Sequence, residues 1–158
     1  MYIAKNAMDK LIEKNMTISF AESCTGGLLT KYMTDIPGSS AVLEGGVCAY
    51  SNEVKKAILG VSESALETYG AVSGSVALQM ARGTRLLMKT DIGVGTTGIA
   101  GPDSDNTKKP VGLVYAALAL PGGRYILREL RLSGDRENIR ETAVREVFSL
   151  IAEYLEHA

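Results

Sequence analysis

Short apolar runs alternating with helical stripes limit what this chain can build. Residues Thr17 to Ala21 form one such run, and a turn of small polar residues and glycine, Glu22 to Gly27, leads from it into Leu28, Leu29, Tyr32 and Met33, which end before Pro37-Gly38. A run of strand length, a breaker-rich turn and a stripe at 3.6-residue spacing together predict a strand–loop–helix unit. Its loop falls where open α/β sheets hold ligands, beyond the carboxyl end of a strand and against a helix N-terminus. The pattern repeats. Val42 to Tyr50 reads as a second strand weakened by Gly45-Gly46, followed by a helix that carries Lys55, Ala57, Ile58 and Leu59 behind a cap at Ser51 or Asn52.

Ser62 is placed to cap a short helix through Tyr69, and Ser73 a long one with Val76, Ala77, Met80, Ala81, Leu87 and Met88 along one face. Ile92 to Thr97 is a short strand that runs into Gly98-Ile99-Ala100-Gly101-Pro102 and a polar loop through Pro110. Val111 to Leu120 and Arg124 to Leu132, joined by Pro121-Gly122-Gly123, form an antiparallel hairpin. Two further helices bracket the chain: Ala4, Ala7, Met8, Leu11 and Ile12 up to Asn15, and Ile139, Ala143, Val144, Val147, Phe148, Ile151 and Leu155 at the other end. The fold expected is a single three-layer α/β/α domain, residues 1–158, with a mixed sheet that is mostly parallel and carries one antiparallel hairpin.

A chain of 158 residues suits one domain with one core. Seventeen Lys plus Arg against eighteen Asp plus Glu leave a formal charge of -1, so no overall field favours nucleic acid or an anionic bilayer, and neither is expected as a partner. Cys24 and Cys48 lack a Cys-x-x-Cys companion, which argues against a zinc knuckle or disulfide framework and for reduced thiols in cytoplasm. Met1 to Lys14 has no signal-peptide pattern, and no apolar run is long enough to span a bilayer.

The only histidine is His157, one residue from the end, where a positioned base is a poor expectation. A serine attacking a carbonyl at neutral pH must then be activated by lysine, tyrosine or a carboxylate. Ser23 in the first loop is the candidate nucleophile, although an isolated serine is more often a turn or cap hydroxyl. Cys24 is its rival, since a thiol at a helix N-terminus gains thiolate character, against the plainer reading of a small buried residue. Lys55 can pair with Ser23 or, four residues away on the same helix, with Ser51; spacing does not separate the two. Gly93-Val-Gly95-Thr-Thr-Gly98 matches G-x-G-x-x-G as a string, but no helix starts in the glycines and no acidic residue follows at ribose distance, so no nicotinamide cofactor is expected.

Five ordered motifs, Ala21-Glu-Ser-Cys-Thr-Gly-Gly27, Ala49-Tyr-Ser-Asn-Glu-Val-Lys55, Gly70-Ala-Val-Ser73, Gly98-Ile-Ala-Gly-Pro102 and Lys109-Pro-Val-Gly112, resemble the CinA C-terminal-domain family, the bacterial nicotinamide-nucleotide amidohydrolases, over nearly the whole chain. The resemblance implies a stand-alone form of the domain that hydrolyses the carboxamide of nicotinamide mononucleotide to nicotinic acid mononucleotide and ammonia, without metal or other cofactor, in pyridine-nucleotide recycling. Carried onto matching positions, it makes Ser23 the nucleophile and Tyr50 and Lys55 its activating partners. The backbone N–H groups from Cys24 through Thr25, Gly26 and Gly27 are candidates for an oxyanion hole. Thr97, Gly98 and Gly101 are candidates to line the nucleotide site.

Arg136 and Arg140, one helical turn apart behind Ser133-Gly134-Asp135, can take a phosphate or can be solvated arginines on a helix capped by Asp135. One departure stands out. Family members commonly carry two glycines after Gly-Pro-x, where this chain has Ser104-Asp105, which removes φ > 0 freedom and adds negative charge near a phosphate site. The alternative function is therefore a catalytically inactive nucleotide-binding regulatory or scaffold protein of the same fold. A homodimer is expected on symmetry grounds.

Overall fold

The computed structural model describes residues 2–104 and 106–158; Asp105, half of the Ser104-Asp105 departure, lies outside the described residues. Helix α1 (Tyr2–Lys14) precedes β1 (Ile18–Glu22), α2 (Leu28–Thr34) and β2 (Leu43–Cys48). Helices α3 (Asn52–Leu59), α4 (Glu63–Tyr69) and α5 (Gly74–Met88) lead to β3 (Ile92–Gly98). The hairpin β4 (Leu113–Ala119) and β5 (Tyr125–Arg131) and the long α6 (Arg136–His157) complete the order. The strands form one sheet in the order β2-β1-β3-β4-β5, with β1 parallel to both neighbours and the β3–β4 and β4–β5 pairs antiparallel. This is the mixed α/β sheet expected, with the hairpin where its turn residues predict it.

Period-2 alternation sorts the sheet's side chains into two unlike faces. Ile18, Phe20, Ile92, Val94, Ala116 and Leu118 face α1, α2 and α6 and meet Leu11, Leu29, Met33, Val144 and Phe148 in the main core. Phe20 and Phe148 pack edge to face at 6.2 Å between ring centres. The opposite face is built from small residues. A Cβ on Gly95 would stand 2.2 Å from the Ala77 carbonyl oxygen, so glycine here lets α5 lie directly on the sheet, with Ala77 and Ala81 against Ala117 and Ala119. The G-x-G string is thus a helix-packing surface within a strand.

The stripe assigned to α6 is buried throughout, from Ile139 to Leu155. In α5 the buried face is Val76, Ala77, Met80, Ala81 and Thr84, whereas Leu87, expected on it, is 52% exposed. Thr84 takes the inner place because its hydroxyl donates to the Phe20 carbonyl, satisfying a buried polar group. Ile12, expected on the inner face of α1, is also exposed. Strand β2 runs through Gly45-Gly46 unbroken. A Cβ on Gly46 would meet Thr30 Oγ1 at 2.1 Å, so the glycine makes room for a side chain that the neighbouring loop needs.

Candidate active site

Strands β1, β2 and β3 end on the same side of the sheet, and the chain leaves β1 in one direction for β2 and returns across it to β3. Ligand crevices of open α/β sheets form at such reversals. A cleft of about 160 Å³ opens there, lined by Ser23 and Cys24 after β1, Tyr50, Asn52 and Lys55 after β2, Thr97, Gly98 and Ala100 at and after β3, Ala71 and Val72, and Arg136.

Ser23 is fixed as an extension of the sheet, its N–H donating to the Thr96 carbonyl at 3.1 Å. Glu22, 1% exposed, directs its carboxylate away from the cleft and into the start of α2, accepting from the Leu29 N–H at 2.9 Å, the Thr30 N–H at 3.1 Å and the Thr30 hydroxyl at 2.9 Å. A charged acceptor satisfying two first-turn donors is a strong local contact. It also occupies the positive end of α2, the helix N-terminus expected from the sequence to face a ligand. From the other side Arg140 donates through Nε to the Cys24 carbonyl at 3.0 Å and through Nη2 to the Thr25 carbonyl at 3.2 Å. The Ser23 loop is thus clamped between a carboxylate below and a guanidinium outside.

Lys55 is the largest polar side chain in the interior, 1% exposed on the inner face of α3 with Leu59 one turn later. Its Nζ lies 3.0 Å from Ser23 Oγ, 2.8 Å from the Ala49 carbonyl oxygen and 3.0 Å from the Tyr50 carbonyl oxygen. Ser51, the competing partner, instead caps α3, accepting from the Val54 N–H at 3.2 Å. Lys56 points outward to Glu53 and Glu63. Burial holds the Lys55 ammonium below its ordinary 10.5, opposed by the nearby Cys24 and Cys48. No carboxylate among the described residues forms an ion pair with it.

The two carbonyls accept only, so an ammonium donates to all three neighbours, and a neutral amine keeps both carbonyl bonds while offering its lone pair to the Ser23 hydroxyl. The arrangement suits both protonation states.

Cys24 moves opposite to the expectation for a helix-terminal thiol. Burial, followed at a distance by the Glu22 charge, outweighs the opposing contributions from a backbone hydrogen bond, Lys55 and Arg140, and pushes its pKa up to about 12. It lines the cleft as a neutral thiol. Tyr50 is 67% exposed at the rim; its carbonyl, rather than its phenol, meets Lys55.

The remaining candidates divide. Thr97 and Gly98 line the cleft, with the Thr97 hydroxyl donating to the Ala71 carbonyl at 2.8 Å. Arg136 reaches it too, with one guanidinium N–H on the Gly101 carbonyl at 2.6 Å. Thr25, Gly26, Gly27, Gly101 and Arg140 do not line it. Thr25 is buried with its hydroxyl against Thr96 at 2.8 Å. The Gly26 N–H is spent on the Ser23 carbonyl. Asp135 caps α6, accepting from the Asn138 N–H at 2.8 Å.

Asn52, Ala71 and Val72 belong to the cleft and escaped the sequence reading; the Tyr-Ser-Asn and Gly-Ala-Val-Ser motifs were the available signals. His157 lies in the last turn of α6, outside the cleft lining. Among the described residues no three His, Cys, Asp or Glu side chains converge as metal ligands, and no helix is long and apolar enough to cross a membrane.

Comparison with known proteins bears on the whole chain. The model of the CinA C-terminal domain matches residues 2–155. A protein of Acetivibrio thermocellus named for competence and damage induction is 50% identical over 149 residues, which are 94% of this chain and 36% of that protein. The chain spans about a third of the length of the curated relatives it matches first. A crystal structure of a CinA superfamily protein from Klebsiella pneumoniae superposes with a TM-score of 0.96 at 29% identity, covering 99% of this chain and 98% of that one. The competence/damage inducible protein CihA from Agrobacterium tumefaciens superposes at 0.92 with 38% identity, covering 98% and 94%.

Proposed function

This chain belongs to the CinA C-terminal domain family, and from that premise we propose that it is a serine amidohydrolase acting on the carboxamide of nicotinamide mononucleotide. One observation carries the reading: a buried lysine, paired with no carboxylate among the described residues, rests 3.0 Å from a serine hydroxyl at the open end of the sheet. Neutral Lys55 takes the Ser23 proton as Oγ attacks the amide carbon. The resulting Lys55 ammonium returns that proton to the departing nitrogen, releasing ammonia and leaving an ester on Ser23. Water, deprotonated by the again neutral Lys55, then attacks the ester carbon; the C–Oγ bond breaks, the Lys55 ammonium returns the proton to Ser23 Oγ, and nicotinic acid mononucleotide is freed.

The Ala49 and Tyr50 carbonyls steady the ammonium formed in each half-reaction, which is how Tyr50 assists activation; its phenol stands at the rim. The backbone N–H of Cys24, which lines the cleft and among the described residues donates to no backbone carbonyl, is the candidate oxyanion donor. Pockets that enclose a whole small molecule run from about 300 Å³ upward. The cleft's ≈ 160 Å³ suits the ring and its amide, with ribose and phosphate running outward past Arg136.

The test is ammonia release from nicotinamide mononucleotide by the wild type and its abolition in Ser23→Ala with the fold retained. Nucleotide binding without turnover would favour the regulatory or scaffold reading instead.

A further inference from the structure

One wall of the cleft, Ala71 and Val72, belongs to the irregular connection between α4 and α5. Such a segment has no ladder or helix to hold it, and its backbone groups must find partners elsewhere. Four consecutive carbonyls here are each taken by a side chain. The Tyr69 carbonyl accepts from Lys109 Nζ, Gly70 from the Ser73 hydroxyl at 2.9 Å, Ala71 from the Thr97 hydroxyl at 2.8 Å, and Val72 again from Lys109 Nζ. Ser73 is local and caps α5, and Thr97 reaches across from β3. Only Lys109 binds two carbonyls, spanning both ends of the segment from the loop that follows β3. Lys109 does not itself line the cleft.

We propose that Lys109 is a positioning residue that sets the substrate-facing wall, so that the Ala71–Val72 segment stands at a fixed distance from Ser23 and Lys55 and grips a planar ring. The inference rests on the amidohydrolase reading for its kinetic consequence alone. A charged donor shared between two carbonyls makes two charge-assisted bonds that a methionine of similar length cannot replace. Losing them frees the wall while leaving Ser23, Lys55 and their contacts in place. Binding then suffers more than chemistry.

Lys109→Met is compared with wild type in a Cys48→Ser background, where Cys24, which lines the same cleft, is the only thiol. With nicotinamide mononucleotide as substrate, KM should rise on the order of tenfold while kcat stays within about threefold. Alkylation of Cys24 by iodoacetamide, well below the unfolding temperature, should accelerate by a similar factor as the wall loosens. A folded variant with unchanged KM and unchanged alkylation overturns the proposal, as does a fall in thermal midpoint accompanied by neither change. Should the wild type release no ammonia, the amidohydrolase reading fails by itself, and the alkylation rates still decide whether Lys109 holds the wall.

Discussion

Lys55 Nζ and Ser23 Oγ stand 3.0 Å apart although 32 residues separate them, with the Ala49 and Tyr50 carbonyls completing the lysine's shell. The pair exists because β1 and β2 are parallel neighbours: Glu22 pairs with Cys48, so the residues just beyond each strand emerge side by side. The first turn of α3 then drops Lys55 back beneath Ser23.

Removing either partner should end turnover while sparing the fold. Ser23→Ala and Lys55→Met are each expected to lower kcat for nicotinamide mononucleotide by at least about a thousandfold. The double variant should be little worse than either single one, since the two act as a unit. Single-turnover ammonia release measures all three, with circular dichroism as the control for folding.

The pH dependence follows from the direction of the Lys55 shift. As a base it works when neutral, so activity should rise with pH through a value below the ordinary 10.5. Stability has its own sign. The folded value lies below the unfolded one, so between them the unfolded chain binds more protons. The buried charge is a penalty below the folded value, relieved as pH rises toward 10.5. Thermal midpoints of wild type should therefore gain on those of Lys55→Met as pH rises toward 10.5, and a constant difference would count against a depressed Lys55.

Cys24 should prove dispensable as a nucleophile. With its thiol pushed up to about 12, almost no thiolate exists near neutrality. Cys24→Ala is expected to retain turnover within about tenfold of wild type, the residual loss reflecting the altered cleft surface. Complete inactivation, together with an active Ser23→Ala, would exchange the roles of the two residues.

Glu22 should matter more to stability than its position beside Ser23 suggests. Glu22→Ala strands the Leu29 and Thr30 N–H groups at a buried helix start and opens a void beneath the loop, at a cost of about 3 kcal/mol. Equilibrium denaturation in urea measures it. Glu22→Gln keeps an acceptor for one of the donors and should cost less.

Gly95→Ala tests the close approach of α5. The added methyl meets backbone, the Ala77 carbonyl oxygen at 2.2 Å and the Ala81 nitrogen at 2.7 Å, so the helix itself must shift. Loss of roughly 3 kcal/mol is expected by the same denaturation measurement. Alanine at Gly122, where no atom lies within 4 Å, adds a strained left-handed residue without a clash and should cost about 1 kcal/mol.

By itself the sequence determined the elements and their order. Periodicity is a local property, so the stripes of α6, the hairpin around Pro121-Gly122-Gly123 and the caps at Ser62, Ser73 and Asp135 could be read from neighbours along the chain. It also narrowed the chemistry to a few hydroxyls, a thiol and a lysine, because one terminal histidine leaves no imidazole in the cleft. Which serine meets Lys55, which lysine is buried, and which carboxylate fills the start of α2 were decided only in three dimensions. Each depends on the register between strands and on which face of a helix turns inward, and those are settled by packing between segments far apart in the chain, where spacing carries no information.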